Sequence, residues 1–145
     1  RISYTAHELP AEKLGALETA RLLGVPAEQV FKTIVVQREG RGKPLLALVP
    51  GGSEVDLKAL AKTLGEKRLH LPTQREAEQL TGLQAGGISP LALLNRGFQV
   101  VIDETAQLFD AIHISGGQRG LNICLPPDAL AELTGATFAD IVEIS

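Results

Sequence analysis

The run Val30-Phe31-Lys32-Thr33-Ile34-Val35-Val36 constrains the fold of this chain more than any other stretch. Most of its side chains are β-branched or aromatic, and such residues fit a pleated, half-buried surface. Glu39-Gly40-Arg41-Gly42-Lys43 then reads as a hairpin loop, and residues 44–49 as the return strand. A hairpin here commits the chain to antiparallel pairing in at least part of its sheet.

Around this hairpin the predicted elements interleave. Residues 2–7 read as a first strand, and residues 14–23 as a helix stopped by Gly24. Pro26 opens a short helical turn. Asp56 caps a helix over 57–64 that ends at Gly65, and Thr73 caps another over 74–80 that ends near Gly82. Residues 67–71, 99–103, 111–115, 121–125 and 141–144 read as strands. Pro126-Pro127-Asp128 opens a last helix to Leu133, with Gly135 as its stop. Hairpins mixed with helical crossovers predict an α/β chain of the α+β type. Its sheet is mixed and largely antiparallel, curved or barrel-like, with helices outside.

The 145 residues are 44% hydrophobic, enough for one domain over residues 1–145 with its own core. No apolar run approaches the ~18 residues of a membrane span, so no membrane partner is expected. Cys124 is the single cysteine. It excludes an internal disulfide and a cysteine-built metal site, and a reducing cytoplasm is the expected compartment. A net charge of −3 argues against a nucleic-acid binder that is basic throughout. Lys58, Lys62, Lys67 and Arg68, with Arg38, Arg41 and Lys43 at a turn, form either a solvated face or a phosphate-tracking patch.

Two glycine pairs stand beside hydroxyls, in Gly86-Gly87-Ile88-Ser89-Pro90 and in Ser115-Gly116-Gly117-Gln118-Arg119-Gly120. Without a Cβ, their backbone N–H groups can approach a ligand closely. Two such loops build either a main-chain site for an anionic or ester-bearing ligand, or two ordinary turns. Lys32 shares a strand face with Val30, Ile34 and Val36. A lysine among apolar neighbours either snorkels to water or meets an anion, such as a carboxylate, a phosphate or a developing oxyanion. Asn122 and Cys124 share one face of their strand, opposite Leu121, Ile123 and Leu125, which face the core. Asn122 is placed to donate to a ligand held by the second glycine loop. Cys124 reads as a buried inert thiol, since nothing in the sequence supplies its base. Arg119 pairs with a phosphate or with a structural carboxylate. His7, His70 and His113 are scattered and show no metal-ligand spacing, so no metal and no cofactor are expected. Ser89 is not in a G-x-S-x-G elbow, which disfavours a Ser-His-Asp hydrolase.

Val30-Phe31-Lys32-Thr33, Asp56-Leu57-Lys58, Gly86-Gly87-Ile88-Ser89-Pro90, Ser115-Gly116-Gly117-Gln118-Arg119-Gly120-Leu121 and Phe138-Ala139-Asp140-Ile141 occur in this order along the chain. Together they resemble the YbaK/EbsC group of aminoacyl-tRNA deacylases, relatives of the prolyl-tRNA synthetase editing domain. The resemblance implies that fold, a partly barrel-like sheet, and hydrolysis of a mischarged aminoacyl-tRNA in trans. Cys-tRNA(Pro) or another small amino acid on tRNA(Pro) is the implied substrate. The tRNA acceptor end, and prolyl-tRNA synthetase, are the implied partners. It puts the essential lysine at Lys32. Gly86, Gly87, Ile88 and Ser89 form one wall of the implied substrate site, and Ser115, Gly116, Gly117, Arg119 and Asn122 the other. The family's Cys-tRNA(Pro) deacylases carry an aspartate where this chain has Asn122, and residues 9–17 lack the aromatics of their pocket. Two other readings remain: a non-catalytic module that binds tRNA or a synthetase, and an esterase for small aminoacyl esters.

Overall fold

A computed structural model describes residues 3–12, 14–40 and 42–143. The middle layer is a five-stranded sheet of order β4-β2-β3-β5-β8. It consists of β2 (Phe31–Arg38), β3 (Leu45–Pro50), β4 (Leu69–His70), β5 (Gln99–Asp103) and β8 (Thr137–Ala139). The expected hairpin is β2–β3, in register from Phe31 opposite Pro50 to Val36 opposite Leu45. β3 then pairs parallel with β5, and β5 parallel with β8. A second, antiparallel sheet has the order β1-β7-β6, from β1 (Thr5–Glu8), β6 (Ile112–Ser115) and β7 (Leu121–Leu125).

Every residue of β3 is buried, because both of its faces meet a layer and both of its edges are paired. One face carries Leu46 and Leu48, packed with Phe31, Val100, Ile102 and the inner face of the second sheet (Ile112, Ile114, Ile123, Leu125). The other carries Leu45, Ala47 and Val49, packed with Val36, Val101, Ile141 and α2 (Leu57–Leu64) through Leu60 and Ala61. A strand buried on both faces reads as an unbroken apolar run, as Leu-Leu-Ala-Leu-Val does here.

The helices follow their caps. Asp56 accepts from the Ala59 N–H at the start of α2. Thr73 and Glu76 form a capping box on α3 (Gln74–Thr81). α1 (Ala16–Leu23), α2, α3 and α4 (Pro127–Thr134) all end at a left-handed glycine. The turn after Pro26 is a 3-10 helix, Ala27–Gln29.

The strands are divided between two open sheets. They touch where Val30 bridges His113 in parallel, and there is no continuous ladder to carry the curvature round. One expectation changes: among the described residues 141–143 no strand forms, Thr137–Ala139 takes the sheet edge, and Val142 makes an isolated bridge to Val55. A 3-10 helix, Glu104–Leu108, follows β5 directly, started by the Asp103 carboxylate accepting from the Thr105 N–H. Ile2, Arg41 and Ile144, which entered the sequence reading, lie outside the described residues.

Asp103 is 1% exposed, and its other oxygen accepts from the Ile141 N–H at 3.0 Å. It thereby ties the C-terminal segment to β5. Asp103→Ala leaves those donors buried and unpaired, which costs about 1–3 kcal/mol. Urea unfolding is expected to show a lowered midpoint with an unchanged slope.

Candidate active site

β2 is paired with β3 along its whole first half, but β4 covers its other edge only at Gln37 and Arg38. The strand therefore begins beside a gap. Beside the Val30–His113 bridge lies a cavity of about 330 Å³, lined by residues of both sheets. Residues 30–34 border one side. Ser115, Gly120, Leu121 and Asn122 border the other, Ala85, Gly86 and Ile88 form a third wall, and Gly15, Ala16 and Thr19 of the α1 end close over it.

Lys32 lies on the strand face that carries Ile34 and Val36, and where that face reaches the cavity its chain is long enough to bring the ammonium out. Nζ meets Glu54 Oε1 at 3.4 Å, with the lysine side chain 28% and the glutamate 73% exposed. Such an exposed pair is worth only about 0–1 kcal/mol, so a phosphate or an oxyanion can displace Glu54. Thr33 points to the opposite face. Its hydroxyl is buried and has no hydrogen-bond partner among the described residues, although the residue borders the cavity. Nothing in the sequence singled out Thr33, since its place beside the cavity depends on how the strands pack.

The two glycine loops meet, but largely through their backbones. A Cβ on Gly87 would lie 2.9 Å from Gln118 Cα and 3.0 Å from Arg119 N. Arg119 Nε–H donates to the Ala85 carbonyl at 2.7 Å, and Ser115 Oγ donates to the Gly86 carbonyl at 3.3 Å. Arg119 thus braces one loop against the other and does not border the cavity. The Gly87 N–H donates to Gln84, that of Gly116 to Leu121, and that of Gly117 to Ser115 Oγ. Those three amides are occupied within their own turns, and none of the three residues borders the cavity. Ser89 is fully buried and does not border the cavity, and its Oγ accepts from the Leu91 N–H. Of the residues expected to touch a ligand, Lys32, Gly86, Ile88, Ser115 and Asn122 border the cavity. Among the described residues no carbonyl accepts from the Gly86 or Ile88 N–H, which leaves those two amides as main-chain donors.

Asn122 is 4% exposed and His113 5%, and Asn122 Oδ1 lies 2.8 Å from His113 Nδ1. The two residues sit on the face of β6 and β7 that points away from the apolar core. Sequence alone set His113 aside; it stands two residues before Ser115, on the same strand face, but its partner on β7 is fixed only by the register. Cys124 lies opposite His113 in that register. Burial pushes its thiol up from the ordinary value.

A family model, the aminoacyl-tRNA editing domain, matches residues 12–133. The chain belongs to that family. This editing domain is 36% identical over 143 residues to EbsC of Enterococcus faecalis, named as a candidate Cys-tRNA(Pro)/Cys-tRNA(Cys) deacylase, covering 97% of this chain and 86% of the relative. It is 33% identical over 102 residues to a proline–tRNA ligase of Nitratidesulfovibrio vulgaris, covering 70% of this chain but only 17% of the ligase. Its fold matches a crystal structure described as a candidate trans-editing enzyme for prolyl tRNA synthetase. There the TM-score is 0.84 and the identity 30%, covering 97% of this chain and 87% of that one.

Two outcomes follow from this editing domain's geometry. Gly87→Ala forces the loops apart against backbone atoms. It is expected to destabilise the fold by about 1–3 kcal/mol and to reduce ligand binding, read by thermal unfolding beside a binding assay. Cys124, held as the neutral thiol, is expected to react with iodoacetamide at neutral pH several-fold more slowly than free cysteine, read by mass spectrometry.

Proposed function

We propose that this chain hydrolyses the ester that joins a wrong amino acid to the 3′ end of a tRNA, acting in trans to the synthetase. The observation that supports this most is Lys32 bordering a small cavity that Gly86 and Ile88 also line, in a member of the aminoacyl-tRNA editing family. An aminoacyl ester is already activated, so the site need supply no covalent nucleophile. Orientation of the ester against a water does much of the work. The Lys32 ammonium exchanges Glu54 for the terminal phosphate or for the oxygen that becomes negative as the carbonyl turns tetrahedral. The Gly86 and Ile88 N–H groups donate to that same developing charge. The ester C–O bond then breaks, the tRNA hydroxyl leaves with a proton, and the free amino acid departs.

The substrate of this reading is Cys-tRNA(Pro) or another small amino acid on tRNA(Pro). A cysteinyl ester carries its own thiol, which can attack the carbonyl in place of water; the ester C–O bond then breaks, the ribose hydroxyl leaves with the thiol proton, and water opens the resulting β-thiolactone to free cysteine. About 330 Å³ suits a small aminoacyl group, and the partly apolar lining suits one without charge. The tRNA acceptor end, delivered with or without prolyl-tRNA synthetase, is the partner, and the cytoplasm is the compartment. Lys32, Gly86, Ile88, Ser115, Asn122 and Thr33 contact the ligand in this reading. Arg119, Gly87, Gly116 and Gly117 hold the loops that present it.

Cys-, Ala-, Ser- and Thr-tRNA(Pro) incubated with the protein decide the matter. Release of one amino acid by the wild type, with a rate lower by about 10²–10³-fold in a folded Lys32→Ala, is the expected result. That release should weaken steeply as salt rises, since tRNA is held through phosphates. No release from any of the four, even with prolyl-tRNA synthetase added, overturns the proposal.

A further inference from the structure

Asn122 stands where an aspartate would offer the cavity two acceptors and a negative charge. As an amide it offers one acceptor and two donors, and which of them faces the ligand depends on what holds the other side. His113 holds it. The two side chains are 2.8 Å apart, through Nδ1 and Oδ1, and both are at least 95% buried. Neither can turn to bulk water, and an unmet polar group at that depth is costly. An amide oxygen only accepts, so the ring nitrogen beside it carries a hydrogen and donates. With Oδ1 turned toward the ring, the amide nitrogen is turned toward the other side of Asn122, where the residue borders the cavity together with Ser115, directly opposite it in the β6–β7 register.

We propose that His113 is a positioning residue: its Nδ1–H fixes the Asn122 amide so that Nδ2 donates into the cavity, to a neutral oxygen of the aminoacyl-ribose end. This rests on the deacylase reading of the cavity. It adds a specificity element to that reading. An aspartate in this place would select a cationic group; the His113–Asn122 pair selects an acceptor, such as the ester carbonyl or a ribose hydroxyl. The other groups around the ring do not compete for Nδ1. The His7 ring centroid is 5.6 Å from that of His113, and Cys124 lies across the ladder without a hydrogen bond to it.

The test is a cycle of His113→Leu, Asn122→Ala and the double variant, with folding checked by circular dichroism and kcat and KM measured on the aminoacyl-tRNA that the wild type deacylates. Each single variant is expected to raise KM about tenfold, the loss of one hydrogen bond, with a smaller change in kcat. The double variant should be no worse than either single one, because His113 acts through Asn122. A folded His113→Leu with wild-type KM, or a double variant whose loss is the product of the two single losses, overturns the proposal. Should His113→Leu fail to fold, the wild type itself gives the answer by long-range ¹H–¹⁵N correlation at about pH 8, where imidazole is neutral. The Nδ1–H tautomer is expected, and the Nε2–H tautomer overturns the assignment. If the wild type releases no amino acid from any tRNA, the deacylase reading falls, while the tautomer still decides how Asn122 is turned.

Discussion

Burial of β3 on both faces is the constraint from which the rest of this architecture follows. A strand with no exposed residue needs a layer on each side and a partner on each edge. The hairpin supplies one edge through β2. The other edge goes to β5 in parallel, and a parallel partner cannot be reached by a tight turn. The chain therefore travels from Pro50 to Gln99 before it returns to the second edge of β3. That crossover carries α2 to one face of the sheet, and α3 with the first glycine loop toward the second sheet. The second sheet fills the remaining face with Ile112, Ile114, Ile123 and Leu125.

The site is what this arrangement leaves unfilled. β4 is only two residues long, so the first half of β2 keeps a free edge. The second sheet meets β2 in a single bridge, Val30–His113. The gap is closed at its far end by the contact of Gly87 with the backbone of Gln118 and Arg119. Most glycines in the two loops thus serve close packing, and their amides are satisfied within the turns. The proposed chemistry uses few groups: one ammonium with a weak exposed partner, an amide side chain beside a histidine and, among the described residues, two unengaged amides and a buried hydroxyl without a partner. In a partly dry cavity each of these groups interacts more strongly with a ligand than it would in water, which is why so few suffice.

Local signals were legible wherever neighbours in sequence decide the conformation. Asp56 and Gly65 bound α2 at its observed ends, and β5 and β7 occupy the residues that their patterns indicated. The alternation in Leu121–Leu125 correctly sent Ile123 and Leu125 into the core and left Asn122 on the other face. β8 was not legible: three residues, one of them exposed, carry little pattern, and their strand character comes from the parallel pairing with β5. The surroundings of Ser89 were not legible for a related reason. A serine beside two glycines looks the same whether its hydroxyl meets a ligand or the Leu91 amide, and only the path of the loop distinguishes them.

By itself, then, the sequence determined the hairpin, the helix ends, the apolar faces and the order of the motifs, because turn chemistry, capping and side-chain period act over a few residues. Only the tertiary structure decided that the strands form two open sheets, that the cavity lies along half an edge of β2, and that Thr33 and His113 belong with Lys32 and Asn122. Those relations depend on the register between strands distant in sequence, and on which backbone groups remain unpaired once the core has closed. No short stretch of the chain encodes either of them.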